Sequence, residues 1–242
     1  MIFLHLEYYE RITRINRTPT NILAGDEIWI LRPGTGWVGW GSAGFRMRYS
    51  GTRLHQNFGQ RHTVHDGLIT AAHLAFGLRD GDFVIDRFSN AIGLVYHISN
   101  PVSHSHDAAF IETGVYIPNL VTHLPVINPF HDSIVNPMVS AQYGVNTPGT
   151  PVQARGAGTV DNNWDPIIRS GEIRGVWAGV IDGWHIIAIR ASYRGTGGDS
   201  GGIVFCSITS SVHGMHVGGW SNGDSIFVTA DRITGVFGGN LF

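Results

Sequence analysis

Three short segments carry side chains that together could perform nucleophilic acyl transfer: Ile69-Thr70-Ala71-Ala72-His73, Asp107-Ala108-Ala109-Phe110-Ile111 and Gly198-Asp199-Ser200-Gly201-Gly202. A serine hydroxyl attacks a carbonyl only when a base takes its proton. An imidazole does that near neutral pH, and a buried carboxylate fixes its tautomer and stabilises the imidazolium. Ser200 stands among glycines, which let the backbone turn tightly enough for main-chain N–H groups to face an oxyanion while the hydroxyl stays open. His73 follows a small-residue turn at the end of an apolar run, and Asp107 heads another. The glycine-rich pentapeptide alone reads as an ordinary turn in a chain with 33 glycines; convergence of three separated segments on one reaction makes the chemical reading strong.

Such residues need a scaffold that brings distant segments together. The chain has 242 residues, enough for one large domain or two small ones. Apolar residues make up 43% and charged residues 14%, a balance that supplies a core and excludes long-tail disorder. Gly (33) and Pro (10) punctuate short β-rich runs such as Glu27-Ile-Trp-Ile-Leu31, Asp82-Phe-Val-Ile85, Ile92-Gly-Leu-Val-Tyr-His-Ile98 and Trp184-His-Ile-Ile-Ala-Ile-Arg190. Many short strands at this spacing predict an all-β sandwich or barrel. The stretch 116–150 holds five prolines and is expected to connect two halves, roughly 20–115 and 135–237. Short helices are expected at the ends. One covers 4–15, where Leu4, Tyr8, Ile12 and Ile15 recur at helical spacing; the other runs to Phe237, capped by Thr229 or Asp231 and stopped by Gly238 and Gly239.

The net charge of −2 and a pI near 6.7 give no basic footprint, so neither nucleic acid nor an anionic membrane is an expected partner. No run approaches the 18 apolar residues of a spanning helix, and the N-terminus does not read as a signal peptide. A soluble protein is expected, intracellular or exported with its leader outside this sequence. All 16 basic residues are Arg, which we assign to codon composition or environment. Cys206, the single cysteine, stands in an apolar run and reads as a buried thiol. His62, His65, His104 and His106 form pairs without a third ligand, so no metal or organic cofactor is expected. The sequon Asn16-Arg17-Thr18 is read as a chance match.

Thr70-Ala71-Ala72-His73, Asp107 with its apolar tail, and Gly198-Asp199-Ser200-Gly201-Gly202 resemble the three motifs of chymotrypsin-like (trypsin-like) serine proteases, in that family's order and with the compact spacing of bacterial members. Gly41-Ser42-Ala43-Gly44-Phe45 resembles their early strand, and the likeness spans about 25–237. It implies two six-stranded antiparallel β-barrels with the site between them. The division expected is an N-terminal arm or pro-segment (1–24), a first barrel bearing His73 and Asp107 (25–115), a connection (116–134), and a second barrel with the nucleophile and a closing helix (135–242). It implies a catalytic triad of Ser200, His73 and Asp107, and an oxyanion hole from the N–H groups of Gly198 and Ser200. It also implies a structural role for Asp199, for which an internal arginine, Arg155, is the expected partner.

Val212-His213-Gly214-Met215-His216-Val217-Gly218-Gly219 resembles the strand lining the primary specificity pocket. Glutamyl endopeptidases place a histidine where His216 stands, and an imidazole donating to a carboxylate suits that task. His216, Val217, Gly218, Gly219 and Thr196 are therefore the expected substrate-binding residues, with an apolar pocket as the alternative. Arg194, six positions before Ser200, argues against a pocket for basic side chains. The function implied is a serine endopeptidase acting on a protein or peptide substrate, with a monomer favoured. The alternatives are a narrow-specificity processing protease of viral or phage type and a catalytically silent peptide-binding member of the fold. An α/β-hydrolase lacks support, because the serine is not in Gly-X-Ser-X-Gly spacing.

Overall fold

The β-rich runs become strands wherever alternate residues find an interior. In β1 (Glu27–Arg32) the buried positions are Ile28 and Ile30, each separated by a partly exposed neighbour. We describe a computed structural model covering residues 22–32, 34–54, 61–74, 81–88, 91–99, 106–113, 142–181 and 183–241. The expected helix over 4–15 and the connection 116–134 lie outside the described residues. Of the expected arm only 22–24 is described, and there Ile22 and Ala24 are buried.

The N-terminal half contains β1, β2 (Gly36–Ser42), β3 (Arg46–Leu54), β4 (Arg61–Thr70), β5 (Phe83–Asp86), β6 (Ala91–Ile98) and β7 (Ala109–Thr113). Its pairing order is β3-β4-β7-β6-β5-β1-β2, all antiparallel. β2 and β3 are one run bent at Ala43–Phe45. The bend is bonded on one side to Gly25 and Asp26, and on the other to Ile69, whose carbonyl takes the Gly44 N–H at 2.7 Å. The sheet therefore returns on itself with six staves, one of them the bent β2–β3 run. Ile28, Ile30, Leu68, Val84, Val95 and Ile111 pack in one of its apolar clusters.

The C-terminal half is a closed barrel of six strands in the order β10-β13-β12-β11-β8-β9. These are β8 (Pro151–Val160), β9 (Pro166–Ile181), β10 (Trp184–Ala191), β11 (Ile203–Cys206), β12 (Ser211–Gly219) and β13 (Ser225–Thr229). The architecture is thus all-β with two barrels. A larger apolar cluster joins the halves, packing Phe45, Met47, Ile69 and Phe110 with Ile203, Phe205, Met215 and Val228. Burial of large apolar side chains contributes about 1.5–3 kcal/mol each, so this shared cluster is a strong tie between the barrels.

Helix α1 (Ala230–Phe237) begins at the extended Thr229 and ends at Gly238, whose φ of 67° places it in the left-handed region. Thr229 makes no side-chain cap bond, while Asp231 lies in the first turn, where the helix dipole favours an anion. The Gly238 N–H closes the last turn on the Gly235 and Thr234 carbonyls. Directly afterwards β14 (Gly239–Asn240) pairs with β3, so the end of the described chain returns to the first barrel. Gly238→Ala is expected to cost about 1–2 kcal/mol, the steric penalty of a Cβ in the left-handed region. A lowered urea midpoint with an unchanged m value would show this.

Candidate active site

Strand register brings the imidazole and the carboxylate together. β4 pairs with β7 so that Thr70 faces Ala109, and continuing that antiparallel register past both strand ends sets Asp107 beside Ala72 and His73. His73 lies in the 3-10 turn Ala72–Leu74 that follows β4. Its backbone N–H donates to Asp107 Oδ1 at 2.9 Å, and its ring Nδ1 makes a short bond to Oδ2. Asp107 is fully buried, and among the described residues both of its donors belong to His73. The carboxylate therefore fixes both the turn and the ring orientation.

Ser200 belongs to the loop between β10 and β11, and its Oγ lies 2.9 Å from His73 Nε2. Two left-handed glycines shape the loop, Gly198 (φ 94°) and Gly201 (φ 89°). A Cβ on Gly201 would lie 2.3 Å from both the Ser42 carbonyl oxygen and Thr70 Oγ1, so no side chain fits there. The Asp199 N–H turns inward to the Thr196 carbonyl at 3.1 Å, whereas the N–H groups of Gly198 and Ser200 have no partner among the described residues. The Trp40 ring packs against the Gly198 backbone, where it would meet any Cβ at 2.4 Å.

The loop is fastened to the first barrel through Ser42. The Ser42 N–H donates to the Ser200 carbonyl at 2.9 Å, and its hydroxyl donates to the Gly198 carbonyl at 2.7 Å. The same Oγ accepts the Ala157 N–H at 2.8 Å, and the Ser42 carbonyl accepts the Thr70 hydroxyl at 2.8 Å. Ser42, on β2, thus links the strand that leads into the His73 turn to the loop that carries Ser200.

Asp199 is buried and paired with Arg169. The sequence expectation of Arg155 in this role is corrected, and strand alternation explains why. β8 and β9 pair Ala154 with Arg169 and Arg155 with Ile168, so the two arginines project from opposite faces of the sheet. Arg169 meets Asp199, while Arg155 binds Asp26 at 2.7 Å and the Ala24 carbonyl at 2.6 Å. Asp199 also accepts from the N–H groups of Thr196 (2.7 Å) and Gly158 (3.1 Å). Thr196 Oγ1 is drawn into that network at 3.2 Å from Asp199 and 3.0 Å from Thr159 Oγ1.

His216 is buried on β12, and its Nδ1 lies 3.0 Å from the hydroxyl of the fully buried Tyr193. Burial holds the His216 imidazole down at about 4, and burial raises the Tyr193 phenol. When the phenol donates, Nδ1 is the acceptor and the proton of the neutral ring stands on Nε2. Gly195 packs directly against His216 and Ser225: a Cβ there would lie 2.5 Å from His216 Cε1 and 2.9 Å from both His216 Nε2 and the Ser225 hydroxyl. Ser225 Oγ accepts the Gly195 N–H at 2.8 Å. Of the other pocket residues expected from sequence, Val217 is buried in the apolar cluster, Gly218 pairs with Ile226, and Gly219 is exposed opposite Ser225. Sequence reasoning missed Ser42, Tyr193, Arg169 and Ser225; only Ser42 stood in a segment already singled out.

Cys206 is buried. His62 and His65 lie on β4 opposite Arg53 and Tyr49, His106 is buried, and His104 lies outside the described residues. Among the described residues no group of three or more His, Cys, Asp or Glu is placed to hold a metal ion, and no helix is long and apolar enough to cross a membrane.

No protein-family model matches the chain, and no curated protein matches it. Solved structures do. The Nocardiopsis protease is similar at a TM-score of 0.59 and 18% identity, covering 91% of this chain and 98% of that one. Cellulomonas bogoriensis chymotrypsin gives 0.58 and 19%, with coverage of 91% and 98%. A glutamic-acid-specific serine protease that uses a histidine triad in substrate binding gives 0.59 and 17%, with coverage of 91% and 100%. At these identities the likeness establishes the fold, which is the chymotrypsin-like double barrel.

Burial also holds the His213 imidazole, bonded to Asn146 Oδ1 at 2.8 Å, at about 4. Between the ordinary value of 6.5 and about 4, the unfolded chain binds protons at His213 and His216 that the folded chain refuses. Their contribution is complete above pH 6.5 and is lost as the pH falls towards 4. Urea midpoints measured at pH 7 and pH 5 should drop for the native chain, and His213→Gln with His216→Gln should shrink that drop.

Proposed function

We propose that the protein is a serine endopeptidase that hydrolyses peptide bonds through an acyl-enzyme. One observation carries the reading: His73 Nε2 stands 2.9 Å from Ser200 Oγ, and the opposite side of the same ring is held by the buried Asp107. Ser200 attacks the scissile carbonyl while His73 takes its proton, and His73 then delivers that proton to the leaving amine. Asp107 keeps the ring in the required tautomer and stabilises the imidazolium. The N–H groups of Gly198 and Ser200 receive the oxyanion, a contribution of about 3 kcal/mol per donor. Water, activated by His73, releases the acyl group. Asp199, held by Arg169, maintains the loop in the shape that presents those donors. The likeness to solved proteases supports the same reaction class.

A fluorophosphonate probe should label the native chain at one site and fail on Ser200→Ala. Asp107→Asn should retain the fold and lower kcat by roughly 10⁴-fold. Labelling that persists in Ser200→Ala would overturn the assignment.

The residue before the scissile bond is read as Glu or Asp. His216 Nε2–H and the Ser225 hydroxyl are two donors side by side, packed against the Gly195 backbone. Ser225 takes the part that sequence assigned to Thr196, whose hydroxyl is engaged with Asp199. Tyr193 is a positioning residue, since its hydroxyl decides which ring nitrogen of His216 carries the proton. In a peptide library analysed by mass spectrometry, cuts should follow Glu or Asp, and His216→Ala should abolish that preference. Tyr193→Phe should weaken it about ten-fold in kcat/KM without changing hydrolysis of a generic ester. Cuts after apolar residues would retain the triad and discard the acidic pocket.

A further inference from the structure

Strand β9 runs for 16 residues, longer than any other described strand, and serves two neighbours in turn. Residues 166–172 pair with β8, and on that same edge Ile173 bonds to Gly149 and Thr150. The opposite edge pairs with β10 from Ile173 to Ile181. Among the described residues nothing pairs with the β8-side edge beyond Ile173. Residues 174–181 therefore present a row of backbone N–H and C=O groups with no strand beside them.

The side chains of this stretch alternate between two faces. Trp177 and Ile181 pack against the apolar cluster that joins the barrels. Val176 and Val180 point the other way, 75% and 56% exposed, with Ala178 exposed between them. Ile187 of β10 pairs with Ala178 and extends the same apolar face, 39% exposed. Residues 175–181 include no charged side chain and no proline. Natural proteins blunt long edges with such residues, so an apolar edge without them is a surface for pairing with another strand.

The sequence of the edge identifies the strand that fits it. Antiparallel pairing sets residues of the same face opposite one another. The run Arg174-Gly-Val-Trp-Ala-Gly-Val-Ile181 meets an antiparallel copy of itself about a two-fold axis at Ala178. Ala178 then faces Ala178, Val176 faces Val180, and each Trp177 ring falls opposite Gly179. Arg174 opens the run and Asp182 follows it in the sequence, so unlike charges come opposite at both ends of the seam. Arg174 pairs with Glu172 at 2.6 Å, but both side chains are about half exposed and the guanidinium has further donors. Moving the axis one residue either way sets Val180 against Arg174 or Val176 against Asp182. β10 has a comparable stretch, since β13 pairs with it only over 189–191, but about the centre of 184–188 His185 would face Ile187. The self-complementary edge is that of β9.

We propose that the protein forms a two-fold symmetric dimer in which β9 of one copy pairs antiparallel with β9 of the other, giving a continuous sheet in the order β10-β9-β9-β10. The contact is isologous and closes on itself, because each copy spends the same edge. The monomer favoured from the sequence becomes the dissociated form. The seam also backs the strand expected to line the specificity pocket. Trp177 packs edge-on against Trp220 at 5.6 Å, and Ile181 lies 3.3 Å from where a Cβ on Gly218 would sit. The dimer ties the two expected pocket strands to one sheet.

Sedimentation equilibrium at about 100 μM, a concentration that populates complexes with micromolar dissociation constants, should give the native chain a mass near twice 26.4 kDa. Val176→Lys with Val180→Lys sets like charges opposite each other on the exposed face and should return the monomer mass, with the circular dichroism of the native chain showing that the fold is kept. Register is read by cysteine crosslinking, for which the buried Cys206 is the only other thiol. Ala178→Cys, on the axis, should give a disulfide-linked dimer under mild oxidation. Ile187→Cys, on the same face but one strand farther from the seam, should run as a monomer on a denaturing gel. A monomer mass for the native chain at that concentration overturns the proposal. A dimer that survives the double lysine substitution, or that crosslinks through Ile187→Cys and not through Ala178→Cys, places the contact elsewhere and overturns it as well.

Discussion

The amide and hydroxyl of one buried residue, Ser42, hold two barrels in register, while its carbonyl secures β4 within the first. Its amide, carbonyl and hydroxyl reach Ser200, Gly198, Ala157 and Thr70, drawing on β4, β8 and the loop before β11. Each such group would cost about 1–3 kcal/mol if buried without a partner. The barrels therefore dock in one alignment or leave several bonds unmade. The distance between the imidazole of one barrel and the hydroxyl of the other follows from that alignment. Gly201 enters the same constraint from the opposite side, since the space beside it is already filled by the Ser42 carbonyl and the Thr70 hydroxyl.

The parts of this arrangement visible in the sequence are those written locally. Short β-rich runs between glycines announced the strands, Gly238 announced the end of the helix, and the small-residue segments around His73 and Ser200 announced tight turns. What remained hidden depends on which strands become neighbours. Tyr193 and His216 are 23 residues apart and meet only inside the second barrel. Ser225 reaches the loop before Ser200 for the same reason. The choice between Arg155 and Arg169 turned on a single step of register between β8 and β9, which no count along one strand reveals.

The chain's exclusive use of arginine gains a structural meaning from these contacts. Arg32 binds Asp82 through Nε and a terminal nitrogen at 3.0 and 2.8 Å, and Arg48 grips Asp66 in the same forked manner. Arg169 spreads its contacts over Asp199, Thr159 and the Arg194 carbonyl. A planar guanidinium can satisfy several acceptors while buried, whereas a lysine ammonium presents a compact, strongly hydrated charge. Whatever its genetic origin, the bias suits a fold in which single cations serve several acceptors.

The pairing of β14 with β3 carries a consequence for biogenesis. During vectorial synthesis the first barrel emerges from the ribosome well before the second, yet its β3 edge is covered by residues 239 and 240. Until those residues are made, that strand offers unpaired N–H and C=O groups, the template on which chains join one another. Sealing this seam waits for residues made after the whole second barrel. Tags or fusions joined directly after this strand would act at a distance, disturbing the half of the molecule made first.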